Sequence, residues 1–359
     1  MSPESMGDPA LSAEFIRRLP KAELHVHLDG SLRPATMVEL ARKHHVALPT
    51  EDPDALGRTM VASDVADLDD YLERFRLTLS VMQSEEALER IAFELVEDGA
   101  REGVRYMEVR FAPLLNTQAG LSHAQVVESA LRGMRAAEVQ YGVRTGLIVC
   151  ALRSLPPESS FEMAEVAATH VADGVVGFDL AGGEDGFPAQ AHLAAFSLAT
   201  EAGIPITIHA GEAFGPDSIR QAVVVCGAQR IGHGTRLRED PSLENLGRER
   251  GIPLEVCPSS NVQTRVAPSL AEQPIGPYLN AGVPVTLSAV NRLISGVDLS
   301  TEYLETAAAQ GWGWPEIRTV ARAGFEHAFL HGDERVAMLT EVDRELEALD
   351  GELGQKDGS

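Results

Sequence analysis

Two histidines two residues apart, His25 and His27, are the first residues of this chain whose types and spacing suit a chemical task. They lie in Glu23-Leu24-His25-Val26-His27-Leu28, where strand alternation puts both imidazoles on one face and Leu24, Val26 and Leu28 on the other. Two such rings can offer nitrogens to one metal ion, although hydrogen bonds satisfy a histidine pair equally well. A second apolar run ends Thr207-Ile208-His209-Ala210-Gly211-Glu212, and a third ends Ile231-Gly232-His233-Gly234. A histidine between two glycines packs poorly but exposes its ring well. Each run also reads as ordinary packing; their joint position at the ends of different strands points to a metal centre. Three imidazoles plus a water form the ligand set of a catalytic zinc, which lowers the pKa of that water to about 7. Glu212 is then available to carry a proton, and His233 to hold the attacking hydroxide. The chemistry is that of a hydrolase, or of a deaminase attacking an electron-poor carbon.

Eight β-like runs supply these positions: Glu23–Leu28, Arg105–Phe111, Arg144–Ala151, Val175–Leu180, Ile204–His209, Arg230–His233, Ile252–Cys257 and Val283–Ser288. Amphipathic helical patterns separate them, among them Ser122–Tyr141, Ser159–Asp173, Ala189–Ala202 and Ser218–Cys226. Gly103, Gly142, Gly174, Gly203, Gly251 and Gly282 each stand just before the next strand, as left-handed helix ends require. This alternation reads as a (β/α)8 barrel, ahead of an open doubly wound sheet, with catalytic groups at the strand C-termini. About 75 residues separate the first two strands, with helical patterns at Ala35–His44, Leu68–Met82 and Glu85–Ala100. An insertion there would act as a lid. Core packing is the first role for its Leu68, Leu72 and Phe75, and covering the pocket the second. Helical patterns at Thr301–Ala309, Pro315–Phe329 and Glu334–Leu349 exceed one barrel unit and are expected to pack outside. One domain is expected over residues 10–350, with flexible tails at 1–9 and 351–359.

Composition narrows the partners. Lys and Arg number 30 against 54 Asp and Glu, a net charge of −24, which repels phosphate backbones and anionic lipid. Nucleic acid and membrane partners are therefore not expected, and the acidity itself needs no explanation beyond solubility. Three cysteines, Cys150, Cys226 and Cys257, make neither a disulfide framework nor a CxxC metal knuckle and fit a reducing compartment. No apolar run reaches membrane length and no signal-peptide pattern opens the chain, so a soluble cytoplasmic protein is expected. Deaminases of the nucleic-acid type carry HxE and PCxxC; here Cys257-Pro258 is followed by Ser259-Ser260-Asn261, which excludes that class.

At these residues the chain resembles the adenosine deaminase family of metal-dependent hydrolases. The resemblance is carried by Pro20-Lys21-Ala22-Glu23-Leu24-His25-Val26-His27-Leu28-Asp29-Gly30, Tyr106-Met107-Glu108-Val109-Arg110-Phe111-Ala112-Pro113 and Gly177-Phe178-Asp179-Leu180-Ala181-Gly182. It continues through His209-Ala210-Gly211-Glu212, Ile231-Gly232-His233-Gly234 and Glu255-Val256-Cys257-Pro258. It implies a barrel holding one zinc and hydrolytic removal of the 6-amino group from adenosine or a related purine nucleoside. By match, His25, His27 and His209 are the zinc ligands. Glu212 protonates the ring nitrogen beside the attacked carbon, and His233 orients the hydroxide and the tetrahedral adduct. His27 and Asp29 border the substrate, Asp29 holding a ribose hydroxyl. The amide at Gly182 bonds a ring nitrogen, and Asn291 meets the five-membered ring.

Strand eight departs from the pattern. The family resembles Ser-Thr-Asp-Asn/Asp there, the Asp being a further zinc ligand and partner of the water, whereas this chain reads Ser288-Ala289-Val290-Asn291. Val290 can neither ligate a metal nor accept a proton, and the next carboxylate is Asp298. A slow or altered deaminase, a nucleoside-binding protein or an enzyme of other chemistry on the same barrel, and a disabled variant all remain open. Among smaller signals, Arg110 with Glu108 and Asp179 reads as a polar layer beneath the site or as an internal ion-pair network. Cys257 reads as a buried small hydrophobe, and Ser259 and Ser260 as residues of the pocket mouth. His44, His45, His123, His170, His192, His327 and His331 read as surface or capping residues.

Overall fold

The apolar runs fold as eight strands: β1 (Lys21–His27), β2 (Val104–Phe111), β3 (Arg144–Leu152), β4 (Val175–Ala181), β5 (Thr207–Ala210), β6 (Arg230–His233), β7 (Leu254–Val256) and β8 (Val285–Leu287). This computed structural model describes residues 11–62, 71 and 74–356. Every neighbouring pair within β1-β2-β3-β4 and within β5-β6-β7-β8 is parallel. Single parallel bridges join the two sets, Phe178 with Ile206 and Val26 with Val290. The sheet thus closes on itself as the expected (β/α)8 barrel.

Three strands begin later than their apolar runs, for one reason. Pro205, Pro253 and Pro284 follow the first apolar residue of the β5, β7 and β8 runs, and proline has no N–H to give a ladder. Their carbonyls still accept, from Phe178 N at 2.9 Å, Ile231 N at 3.1 Å and Leu254 N at 3.0 Å. All six glycines expected to end helices have positive φ, between 62° and 107°.

Leu24, Val26 and Leu28 are fully buried, each worth roughly 1.5–3 kcal/mol against exposure. Helix Trp314–Glu326 packs on β1 and β8, and Gly332–Lys356 packs against that helix from outside. The last helix runs through Gly351 to Lys356, where a tail was expected. The insertion after β1 contains helices Pro34–His44, Pro53–Met60, Phe75–Val81 and Glu85–Arg101; Leu68 and Leu72 lie outside the described residues. Short helices at Ala13–Arg18 and Pro53–Met60 carry too little periodicity to be read from sequence.

The barrel interior is ionic. Arg110 meets Asp179 at 3.3 Å and Glu255 at 2.8 Å, while Arg230 meets Glu108 and lies 2.6 Å from Glu255, all fully or almost fully buried. Glu108 is therefore the partner of Arg230, not of Arg110. Charges buried at this depth persist only when paired. His170 caps the helix Pro157–Thr169, its Nδ1 2.8 Å from the Val166 carbonyl, as a capping residue should, whereas the ring of His192 is buried between Ser160 Oγ at 2.7 Å and the Arg153 carbonyl at 3.2 Å.

Candidate metal centre and substrate pocket

The alternation of β1 turns His25 and His27 inward, and β5 ends with His209 beside them. Nε2 of His209 lies 3.0 Å from Nε2 of His25 and 3.2 Å from Nε2 of His27. The outer nitrogens of two rings face carboxylates, His25 Nδ1 at 3.0 Å from Glu255 and His209 Nδ1 at 3.0 Å from Asp179. Donation of the His209 Nδ1–H to Asp179 leaves the Nε2 lone pair of that ring pointing inward. Lone pairs converging at such distances repel unless a cation lies between them. Tetrahedral zinc with Zn–N near 2.05 Å separates its nitrogens by about 3.3 Å, so the three rings fit the ion. Burial, reinforced by Arg110, pushes His25 well below the usual imidazole range, and burial does the same to His27. Neutral imidazole is the metal-binding form. Burial would raise the Asp179 carboxyl, but attraction to His209 and Arg110 overrides it and keeps Asp179 ionised.

Gly232 explains how β6 comes close enough. A Cβ there would lie 3.0 Å from His25 Cε1 and 3.2 Å from His209 Cα. The next residue, His233, has φ 64°, and Gly234 N donates to Gly232 O at 3.0 Å, so the strand turns sharply at the histidine. Its Nδ1 is 2.9 Å from Asn261 Oδ1, which leaves Nε2 facing Glu212 Oε2 at 3.5 Å. Burial lowers the His233 pKa, with Glu212 opposing.

A cavity of 480 Å³ opens above these groups. His27, Asp29, Gly182, His209, Glu212, His233 and Asn291 all line it, whereas His25 forms the floor beneath. Tyr71, Phe75, Leu115 and Phe187 give it apolar walls, and Ser260 also borders it. Asp29 is 5% exposed, burial pushes its carboxyl up to about 7, and its Oδ1 lies 3.9 Å from His27 Nδ1 with no hydrogen-bond partner among the described residues. Asn291 Nδ2 donates to Tyr71 Oη at 2.9 Å, and Tyr71 Oη also meets Ser295 Oγ at 2.9 Å. Cys257 comes within metal-binding range of His25 and His233. Burial pushes its thiol well up, as befits an inert packing residue.

Val290 also lines the cavity, with φ 58° and 2% exposure. Asn291 N donates to Ala289 O at 2.7 Å, a tight turn centred on the valine. This backbone region tolerates Asp, Asn and His but is an outlier for a β-branched side chain. The geometry of the turn suits a carboxylate; the side chain present is apolar. The sequence supplied no signal for Glu184 and Arg153, which hold the end of β5, or for Asn261 and Tyr71, because all four act through contacts between distant segments. Asp179, read from the sequence with Arg110 as a layer beneath the site, lies there against His209; Glu255 could have been found as an inward-facing acid on β7.

The adenosine deaminase family matches residues 20–345 of the chain. An adenosine deaminase of Clostridium acetobutylicum is 39% identical over 331 residues, covering 92% of this chain and 99% of that protein. The Arabidopsis protein ADAL, solved in complex with IMP, is 28% identical with a TM-score of 0.83 over 93% of this chain and 99% of its own. An amidohydrolase from Burkholderia ambifaria, solved with bound zinc, is 23% identical with a TM-score of 0.89, over 99% and 98% of the two chains, a likeness of fold. The family match takes in every strand of the barrel and the three converging histidines, and this chain belongs to the adenosine deaminase family of hydrolytic enzymes.

Proposed function

We propose that the protein is a zinc-dependent hydrolytic deaminase of adenosine or a related purine nucleoside, altered by Val290, acting as one domain in the cytoplasm. The observation that carries this reading is the convergence of His25, His27 and His209 on one point at the cavity floor. Three buried cysteines without disulfides, and no helix among the described residues long and apolar enough to cross a membrane, support the location.

His25, His27 and His209 would hold the ion. Zinc bound there would supply Lewis acidity, bringing the pKa of a water down to about 7. Glu212 gives a proton to the ring nitrogen beside C6, which draws electron density from that carbon, since an amine leaves poorly from an unprotonated ring. His233 is kept neutral by burial and oriented through Asn261, so its Nε2 accepts a proton as oxygen adds at C6. Asp29 accepts from a ribose hydroxyl, the Gly182 amide donates to a ring nitrogen, and Asn291 meets the five-membered ring. Tyr71, Phe75 and Phe187 exclude water from the base. Val290 takes no proton, so this chain works without a base on the β8 side.

The test is loss of absorbance at 265 nm with adenosine and added zinc, beside metal analysis of the purified protein. Neither turnover nor metal would defeat the active-enzyme reading. Val290 itself favours a second reading, a nucleoside-binding protein on the same barrel, which tight binding of adenosine without turnover would support.

A further inference from the structure

We propose that Glu184 positions Glu212 against the purine, and so sets the preference for a base that carries a nitrogen beside C6. The inference rests on the role given to Glu212 above.

Glu212 is not fixed by its own side chain. Its carboxylate lies 3.5 Å from His233 Nε2 and 3.5 Å from Thr264 Oγ1, distances at the outer edge of hydrogen bonding. Its main chain is held much harder. Glu184, in the loop after β4 and only 4% exposed, accepts three consecutive amides: Gly211 N at 2.9 Å, Glu212 N at 2.7 Å and Ala213 N at 2.9 Å. The Ser218 hydroxyl donates to the same carboxylate. Gly211 makes the wrap possible, because its φ is 72° and a Cβ there would strike Ile219 at 2.4 Å. On the other side of the turn the buried Arg153 guanidinium donates to the His209 carbonyl. An anion on the amides and a cation on the carbonyl clamp the segment that carries both a candidate ligand and the candidate acid.

Removing the carboxylate leaves the amides of Glu212 and Ala213 without their acceptor, while Gly211 N keeps Ser218 Oγ at 3.0 Å, and the turn must move to hydrate the buried Glu212 amide. A shift of about 1 Å at a reacting group is enough to cost about 100-fold. Glu184 touches no substrate atom; it acts through Glu212.

The experiment compares binding of adenosine and 1-deazaadenosine by calorimetry in the metal-free parent, Glu184→Ala and Glu184→Gln, where adenosine is bound and not turned over. Only adenosine offers the nitrogen that Glu212 meets, so the ratio of the two affinities isolates that contact. General damage to the fold weakens both ligands alike. The parent is expected to prefer adenosine by about tenfold, Glu184→Ala to lose the preference, and Glu184→Gln, which keeps one oxygen for the amides of Glu212 and Ala213, to retain part of it. A parent with the preference and an alanine variant that keeps it would overturn the role of Glu184 alone. A parent with no preference would overturn the reading of Glu212, and this inference with it.

Discussion

The amide of His27 donates to the carbonyl of Val290 at 2.7 Å, so the residue that interrupts the expected ligand set is also the one that closes the barrel onto the histidine-bearing strand. Backbone and side chain at position 290 have separate jobs. The backbone one ties β8 to β1 whatever the side chain, which here is apolar.

Restoring the side chain alone should therefore restore the metal site. Val290→Asp adds an anionic donor beside three neutral imidazoles, in a turn that an aspartate adopts readily. Zinc affinity is expected to rise by at least about 10–100-fold, the scale on which even outer partners of zinc ligands act, and adenosine turnover to appear or increase. Competition with a chromophoric chelator measures the first. Equal affinity in parent and variant would mean that position 290 does not reach the ion.

Val290 also stores strain. Emptying a buried valine site ordinarily costs about 2 kcal/mol or more, but a β-branched residue at φ 58° carries about 1–3 kcal/mol of backbone strain that glycine relieves. Urea unfolding of metal-free Val290→Gly should thus show a loss below about 1 kcal/mol. A loss of about 3 kcal/mol would mean that the turn is relaxed as it stands.

Asp179 orients His209 and balances Arg110. Asp179→Asn keeps the shape but weakens the grip on Nδ1, and leaves Arg110 with Glu255 as its carboxylate partner. Metal affinity is expected to fall by about 10–100-fold, and the midpoint of thermal unfolding to drop even without metal. A variant that binds zinc like the parent would remove Asp179 from the site.

Glu302 supplies a separate pH signature. It accepts Ser259 N at 2.6 Å, is 1% exposed, and burial pushes its carboxyl from 4.5 up to about 7. The folded protein then binds more protons than the unfolded chain between those values, so this group lowers stability as pH rises from about 4.5 to about 7, and the loss persists above. Glu302→Gln should flatten that slope and raise stability at pH 8 by up to roughly 3 kcal/mol. Parallel pH–stability curves for parent and variant would exclude the effect.

Period-2 alternation in Glu23–Leu28, histidines at the ends of three apolar runs and glycines before strands made the barrel and the residues facing its mouth legible in the sequence. Those signals are local: they depend on which way successive side chains point and on which backbone angles a residue accepts. The late starts of β5, β7 and β8 were local too, since Pro205, Pro253 and Pro284 announce them, although the apolar runs mask it.

Partnership was not legible. Glu108 and Asp179 looked alike beside Arg110 on paper, yet barrel closure gives Glu108 to Arg230 and brings Glu255 to both arginines. Glu184 lies 28 residues from the amide of Glu212 that it holds, in a loop with no periodicity to mark it. The identity of Val290 was plain from the sequence, but its left-handed turn and its bond to His27 exist only once β8 meets β1. The chain's residue types decided which groups were available for chemistry. Closure of the barrel decided which of them touch, because distances between segments remote in sequence are set by packing and not by spacing along the chain.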